Sequence, residues 1–411
     1  MRLVIALVLL FALAVVAAIT LGANDGLASL YWRGWRLDLS LNLFILALIG
    51  AFIGASGSVR LARWVLGMPA RARAWREARR EVALQSAQRE SLVEYLAARY
   101  SRSVKAAQRA QDLLSHLTDR EGQAQARAVH HLMAALSLHR LQDRAGRDEQ
   151  ARLVEASLKD IAPGSAAAFG SIQEGLTLLR AEWALDDRDA PASLQHLEQL
   201  QPGAGRRIQA QRLRMQAHRL VDEPLEALRS ARLLAKHQAF RPEAARSLLR
   251  TLAMAVLDQS RDPESLQKNW MALEREDRQD TAVVAHAVAC ARGLGASEWA
   301  RRILKPAFEA AAALQPEQRD ELALALWSVA GGIEPEWLPL IEPLEMRHSR
   351  QPAVLAAVAV VYAERQLWGK AQPLLEQTAR SGLKAAIRRD AWRRLAHLAL
   401  ERDDSPRAAA C

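Results

Sequence analysis

Two long apolar runs, a short loop between them and a burst of arginine after them open this chain. Leu3–Leu21 covers 19 residues with Thr20 its only polar side chain, and Leu39–Val59 covers 21, broken only by Ser40, Asn42, Ser56 and Ser58. About 20 apolar residues in a helix cross the hydrocarbon core of a bilayer. Both runs therefore read as membrane spans, and residues 1–59 as a transmembrane helical hairpin with the loop 22–38 outside it. Leu3–Leu21 also has a second reading, a cleaved signal peptide ending at Leu21-Gly22-Ala23. Its length exceeds the apolar segment of about 7–15 residues that signal peptides carry.

Charge orients the pair. Asp25, Arg33, Arg36 and Asp38 in the loop cancel, whereas Arg60, Arg63, Arg71, Arg73, Arg76, Arg79 and Arg80 follow the second run against Glu77 alone. Positive flanks resist translocation and favour the anionic inner leaflet. The expectation is a multi-pass protein with both termini cytoplasmic. Residues 60–84 read as a basic juxtamembrane helix, either laid on anionic lipid with Trp64 and Trp75 or simply solvated. In the loop, Tyr31, Trp32, Trp35 and Arg36 surround Gly34, and Leu37-Asp38-Leu39-Ser40 alternates. That pattern predicts a small β-hairpin turning at Arg33-Gly34. Trp32, Trp35 and Trp64 read as anchors at the membrane interface, with recognition of something periplasmic as the other reading of the loop. Gly50, Gly54 and Ser58 recur at every fourth position, a stripe that suits close packing against the first span or a second copy.

Beyond the arginines the chain is rich in Ala, Leu, Arg, Glu and Gln and poor in β-branched and aromatic residues, which favours helix throughout. The net charge is +10, and the seven arginines and one glutamate of 60–80 supply six of it. The basic balance is thus mainly membrane-orienting, and no nucleic-acid partner is expected. Two cysteines, Cys290 and Cys411, make neither a disulfide framework nor a four-ligand zinc site, which fits a reducing cytoplasm.

Turn and stop signals, among them Pro163-Gly164, Asp186–Pro191, Asp222–Pro224, Gly293–Gly295 and Gly331–Pro335, cut the rest into helix-length pieces. Pairs recur at roughly 33–37 residues, the period of helix-turn-helix solenoids. The fold class expected is all-α: two N-terminal spans and a degenerate tetratricopeptide-like solenoid over 85–383, closed by a capping helix and tail at 384–411. The clearest unit places Leu355, Ala359 and Tyr362 on one helix and Trp368 and Ala371 on the next, with both alanines where the helices touch. Pro339 and Pro343 are expected to interrupt the second helix after Glu336.

No catalytic pattern emerges. Gly293-Leu294-Gly295 lacks the third glycine of a phosphate loop, with Glu298 in its place, and there is no HExxH, CxxC or nucleophile elbow. The chain reads as a non-enzyme. His286 and Cys290 stand at i and i+4 on one helix face and are the candidate metal or haem-iron ligands; Val283, Val284, Ala287 and Val288 around them favour a buried packed helix instead. No cofactor is otherwise expected. His130-His131 read as packing or surface residues. Trp270, Trp299, Trp327, Trp337, Trp368 and Trp392 recur along the array as core anchors or as groove aromatics.

The arrangement of two spans, arginines and degenerate repeats resembles the proteobacterial HemY family. Arg71-Ala72-Arg73-Ala74-Trp75, the Asn-Trp stretch Leu266–Leu273 and the repeat Pro352–Arg380 carry the resemblance. It implies a bacterial inner-membrane protein associated with haem (porphyrin) biosynthesis, with no catalytic residues to carry over. A flavin-dependent protoporphyrinogen oxidase shares the family's name, but it needs a dinucleotide fingerprint that this chain lacks. The resemblance implies a scaffold for membrane-associated haem enzymes such as ferrochelatase, bound in the concave groove of the repeats. A haem or porphyrin carrier and a cell-envelope assembly scaffold are the other readings, and a homo-oligomer is compatible with all three.

Overall fold

The computed structural model describes residues 26–114, 120–159 and 166–401, with Phe11 and Ala408. The first apolar run, apart from Phe11, lies outside the described residues. The chain divides into two compact units, Met1–Ile161 and Ala162–Cys411, where the sequence suggested one continuous array from residue 85.

The first unit opens on the expected hairpin. Strands β1 (Leu27–Trp32) and β2 (Trp35–Ser40) pair antiparallel, with Trp32 opposite Trp35 beside the turn. Arg33 (φ 45°) and Gly34 (φ 92°) are both left-handed, the two-residue turn whose twist matches that of paired strands. The register gathers Ala28, Leu30, Trp32, Trp35, Leu37 and Leu39 on one face and Ser29, Tyr31, Arg36 and Asp38 on the other. Ser29 Oγ (2.5 Å) and Arg36 Nε (3.0 Å) both donate to Asp38 Oδ1. Those two bonds, Ser29 first, hold the Asp38 carboxyl below its ordinary pKa. The Leu41 amide donates to the Gly26 carbonyl (2.9 Å) and closes the base of the hairpin.

Helix α1 (Leu41–Leu96) follows at once, N-capped by Ser40, whose hydroxyl accepts from the Leu43 amide. Its 56 residues extend about 84 Å at 1.5 Å per residue. Two sequence boundaries are corrected here. The span does not begin at Leu39, because Leu39 and Ser40 still belong to β2. Nor does a separate helix begin at residue 60 or end at 84: one helix runs through the arginines, past Gly67 and Pro69, into the packed part of the unit. There α2 (Tyr100–Leu114), α3 (Arg120–Arg140) and α4 (Arg144–Lys159) complete the unit. Leu84 and Ala87 of α1 share a small core with Ala110 and Leu114 of α2. A buried serine ladder ties three helices: Ser103 Oγ donates to the Ser91 carbonyl (2.8 Å), and Ser137 Oγ donates to Ser103 Oγ (2.9 Å).

The second unit runs through α5 (Ala166–Asp186), α6 (Ala190–Glu198), α7 (Pro202–Gly205), α8 (Ile208–Leu220), α9 (Pro224–Lys236), α10 (Pro242–Asp258), α11 (Pro263–Ala272), α12 (Arg275–Gln279), α13 (Thr281–Gly293), α14 (Ser297–Glu309), α15 (Pro316–Val329), α16 (Leu338–Arg347), α17 (Pro352–Glu364), α18 (Trp368–Ala379) and α19 (Ala385–Glu401). It is a solenoid-like stack of helix pairs. One apolar core runs through it from Met215 to Leu395. Pro343 lies inside α16, so the prolines shorten that helix without abolishing it. In α17 every residue from Ala353 to Ala363 is buried, which marks it as a central helix. Leu355, Ala359, Tyr362 and Ala371 are all buried, and Trp368 packs half-buried against the same core. Tyr362 Oη donates to Glu345 (2.7 Å), and burial first, then this bond, raise the phenol pKa. Helix α19 buries Ala391, Leu395, Leu398 and Ala399 and leaves Arg388, Arg389 and Arg393 exposed.

One backbone device repeats in both units. Ala98, Gln142, Arg188, Asp222, Gly295 and Gln366, each between the two helices of a pair, have positive φ. The amide after each donates back across the turn to a carbonyl of the preceding helix: Arg99 to Glu94, Asp143 to Leu138, Asp189 to Ala184, Glu223 to His218, Ala296 to Ala291 and Leu367 to Tyr362. This is the Schellman closure of a helix C-terminus, which satisfies carbonyls the helix leaves free.

Candidate functional site

Three regions carry chemistry. The first is the apolar part of α1. Leu46, Phe52 and Ile53 are 68%, 73% and 64% exposed, so this segment is not part of the protein's core and needs an apolar environment. It is the one described helix long and apolar enough to cross a membrane. Gly50, Gly54 and Ser58 lie open along it. The arginines at 60, 63, 71, 73, 76, 79 and 80 are all exposed on the next turns. Arg71 stacks over Trp64 (5.6 Å to the ring centre) and Arg79 over Trp75 (4.9 Å). Such pairs shield a guanidinium beside an apolar surface. At the other end of the segment Trp32 and Trp35, 77% and 81% exposed, extend the apolar hairpin face. Aromatics thus flank the apolar segment on both sides.

The second region is a cavity of about 780 Å³ in the second unit. Its walls are α11, α12 and α14. Trp270 and Trp299 meet edge to face (6.1 Å) and form an aromatic wall, continued by Met271, Ile303, Pro306 and Leu314. Arg275, Arg278 and Arg302 stand among them, and among the described residues no acidic side chain lines the cavity. Arg302 leans on Glu298 (3.1 Å), both side chains exposed. Arg278 touches Met271 Sδ (3.5 Å), and its buried Nε has no acceptor among the described residues. Volume and lining suit a small apolar group that carries negative charge. The Leu266–Leu273 stretch supplies part of the wall, with Trp270 both in the core and against the cavity. Trp327 and Trp337 are core anchors, and Trp392 packs half-buried beside them.

The third region holds His286 and Cys290. They share one face of α13 as the i, i+4 spacing requires, but that face is half-buried rather than part of the packed side occupied by Val283, Val284, Ala287 and Val288. The expectation of a buried helix holds for the valines and fails for these two. Asp258, the last residue of α10, faces them. Its Oδ1 lies 2.6 Å from His286 Nε2 and 3.8 Å from Cys290 Sγ. Burial first, and then Asp258, push the Cys290 thiol up to about 11, so it is protonated at neutral pH. Asp258 went unremarked in the sequence because a residue 28 positions away gives no periodic signal.

Two buried arginines also escaped notice. Arg301 Nη1 donates to the carbonyls of Val329 (3.2 Å) and Gly331 (2.7 Å) and thereby caps the end of α15. Arg319 bonds the Ala311 carbonyl (3.1 Å) and Gln351 (2.6 Å). On an amphipathic helix such arginines look like solvated charges. His130 is buried and its Nε2 lies 3.0 Å from Gln88 Nε2, whereas His131 reaches Gln111 and Gln150.

Residues 26–133 match the family model described as HemY protein N-terminus. That stretch holds the hairpin, α1, α2 and most of α3. No curated protein matches the chain.

Proposed function

We propose that this chain, whose residues 26–133 match the HemY protein N-terminus, is a HemY-family, non-enzymatic inner-membrane scaffold that supports late haem biosynthesis. Both termini face the cytoplasm, the first apolar run forms a second span, and the tetratricopeptide-like helix pairs hold a cytoplasmic partner, a haem-pathway enzyme such as ferrochelatase, beside the bilayer. The continuity of α1 carries this reading. A single helix links the apolar segment and its arginines to packed helices, which is how a binding body would be held close to a membrane surface. Tethering of that kind raises the effective concentration of a partner that works on a membrane-borne substrate. The arginine-rimmed cavity offers the contact, a pocket for an apolar side chain next to a carboxylate.

The experiment is crosslinking in intact membranes from a photoreactive residue at position 299. A haem-pathway enzyme in the crosslinked product, together with porphyrin precursors accumulating in a null strain, is the expected result. Normal haem and porphyrin levels in the null strain would remove the haem assignment. A periplasm-dependent phosphatase active when fused at the C-terminus would overturn the orientation.

A second reading rests on the same cavity. Aromatic walls among three guanidiniums suit a planar carboxylate-bearing ring system, as a porphyrin carrier would need. Titration with haemin separates the two: a stoichiometric Soret shift lost in Trp299→Ala favours the carrier.

A further inference from the structure

We propose that Asp258, His286 and Cys290 form a zinc site that fastens the end of α10 to α13. The three donors are the oxygen, nitrogen and sulfur that zinc takes in proteins. They come from two helices that pack directly on each other. Each offers one ligand atom, and all three atoms lie within 4.8 Å of one another. With metal–ligand bonds of about 2.0–2.3 Å, the donors of a tetrahedral site stand about 3.5 Å apart. The Sγ–Oδ1 distance of 3.8 Å is already near that value, and the 2.6 Å between Nε2 and Oδ1 needs only a small rotation of the Asp258 carboxylate. Three protein ligands leave the fourth position to water.

A second observation points to a cation at this place. Asp258 is the final residue of α10, at the negative end of the helix dipole, and no basic residue shares its last turn. Cys290 lies in the last turn of α13, so two helix C-termini converge there. In a chain with 56 basic residues, Asp258 pairs with no arginine or lysine among the described residues; its partners there are the imidazole and the thiol. A divalent cation would balance the carboxylate and the end of α10, whose last turn carries no basic residue, whereas Arg292 already stands in the last turn of α13. A thiolate, an imidazole and a carboxylate together select zinc over magnesium or calcium, which take oxygen ligands. On binding, the Cys290 S–H bond gives up its proton to solvent and the sulfur pair goes to the metal, with no change in oxidation state.

Cobalt(II) serves as the coloured probe on the metal-stripped full chain in detergent. One equivalent should bind with a thiolate-to-cobalt charge-transfer band, and zinc should displace it. The band should survive Cys411→Ser and vanish in Cys290→Ser, while Asp258→Asn and His286→Gln each weaken binding at least tenfold. In the unmutated chain, zinc should protect Cys290 from alkylation and leave Cys411 reactive, a readout independent of whether any variant folds. No charge-transfer band, a band that persists in Cys290→Ser, or alkylation of Cys290 unaffected by zinc would each overturn the site.

Discussion

His130 sits 2% exposed in α3, and its imidazole titrates at about 4 because burial, and then His131, disfavour the charged ring. An unfolded histidine titrates near 6.5, so between pH 6.5 and 4 the unfolded chain binds the extra proton. The stability this site provides is complete above about pH 6.5 and is lost as pH falls toward 4. The loss reaches up to about 3 kcal/mol, since each tenfold difference in proton affinity between the folded and unfolded chains is worth roughly 1.4 kcal/mol. Urea midpoints at pH 7 and 4.5 should differ less in His130→Gln, which keeps a polar partner for Gln88 and removes the titration. An equal pH dependence in both proteins would mean that His130 is protonated in the folded state. The histidine pair was visible in the sequence; its burial was not. Its partner Gln88 lies 42 positions earlier, and no periodicity within α3 reveals which helix covers it. The same blindness hid Asp258 and the buried caps Arg301 and Arg319, whose partners are carbonyls and side chains from other helices.

At the scale of the element, the hairpin was legible and the repeat turns were only half so. Arg33-Gly34 between alternating strands announces a two-residue turn, because glycine is the residue that takes a left-handed φ without cost. The helix-pair turns use the same left-handed region at a helix end, yet among the six only Gly295 is glycine. Ala98, Gln142, Arg188, Asp222 and Gln366 fill the others, so the regular spacing of these stops is muted in the sequence. That substitution also predicts a gain. Gln366 has φ 58° in a turn whose Leu367 amide bonds the Tyr362 carbonyl (2.8 Å). A side chain in this conformation costs about 1 kcal/mol relative to glycine. Gln366→Gly should therefore raise stability by about 0.5–1 kcal/mol, read as a higher urea midpoint at unchanged slope. A lower midpoint would mean that the Gln366 side chain makes a contact worth more than the strain. The prolines of α16 mark the opposite limit. Pro343 reads as a breaker, but packing of Ile341 and Leu344 into the core holds the helix around it.

For the whole molecule, α1 belongs at once to the membrane segment and to the first unit's core. The sequence divided these functions at residue 84 because composition changes there; the backbone does not. Leu84 and Ala87 are core, Gln88 holds His130, and Ser91 begins the serine ladder, all on the helix that also carries the apolar segment. Two truncations should therefore behave differently. A chain beginning at Arg71 loses the apolar segment but keeps every α1 residue that packs on α2 and α3. It should leave the membrane fraction and unfold with the same midpoint as the full chain's first unit. A chain beginning at Ala97 loses the core contribution of Leu84 and Ala87 and uncovers His130 and Ser103. It should be destabilised by at least about 3 kcal/mol in the first unit, the scale of removing a buried leucine together with its polar neighbours. The second unit, which has its own core, should melt as before in both chains. If tethering is what the membrane segment provides, the chain beginning at Arg71 should still capture the partner in solution and yet fail to relieve a null strain. Full rescue by that soluble chain would show that the anchor is dispensable, and equal stability of the two truncations would show that the last turns of α1 are not part of the fold.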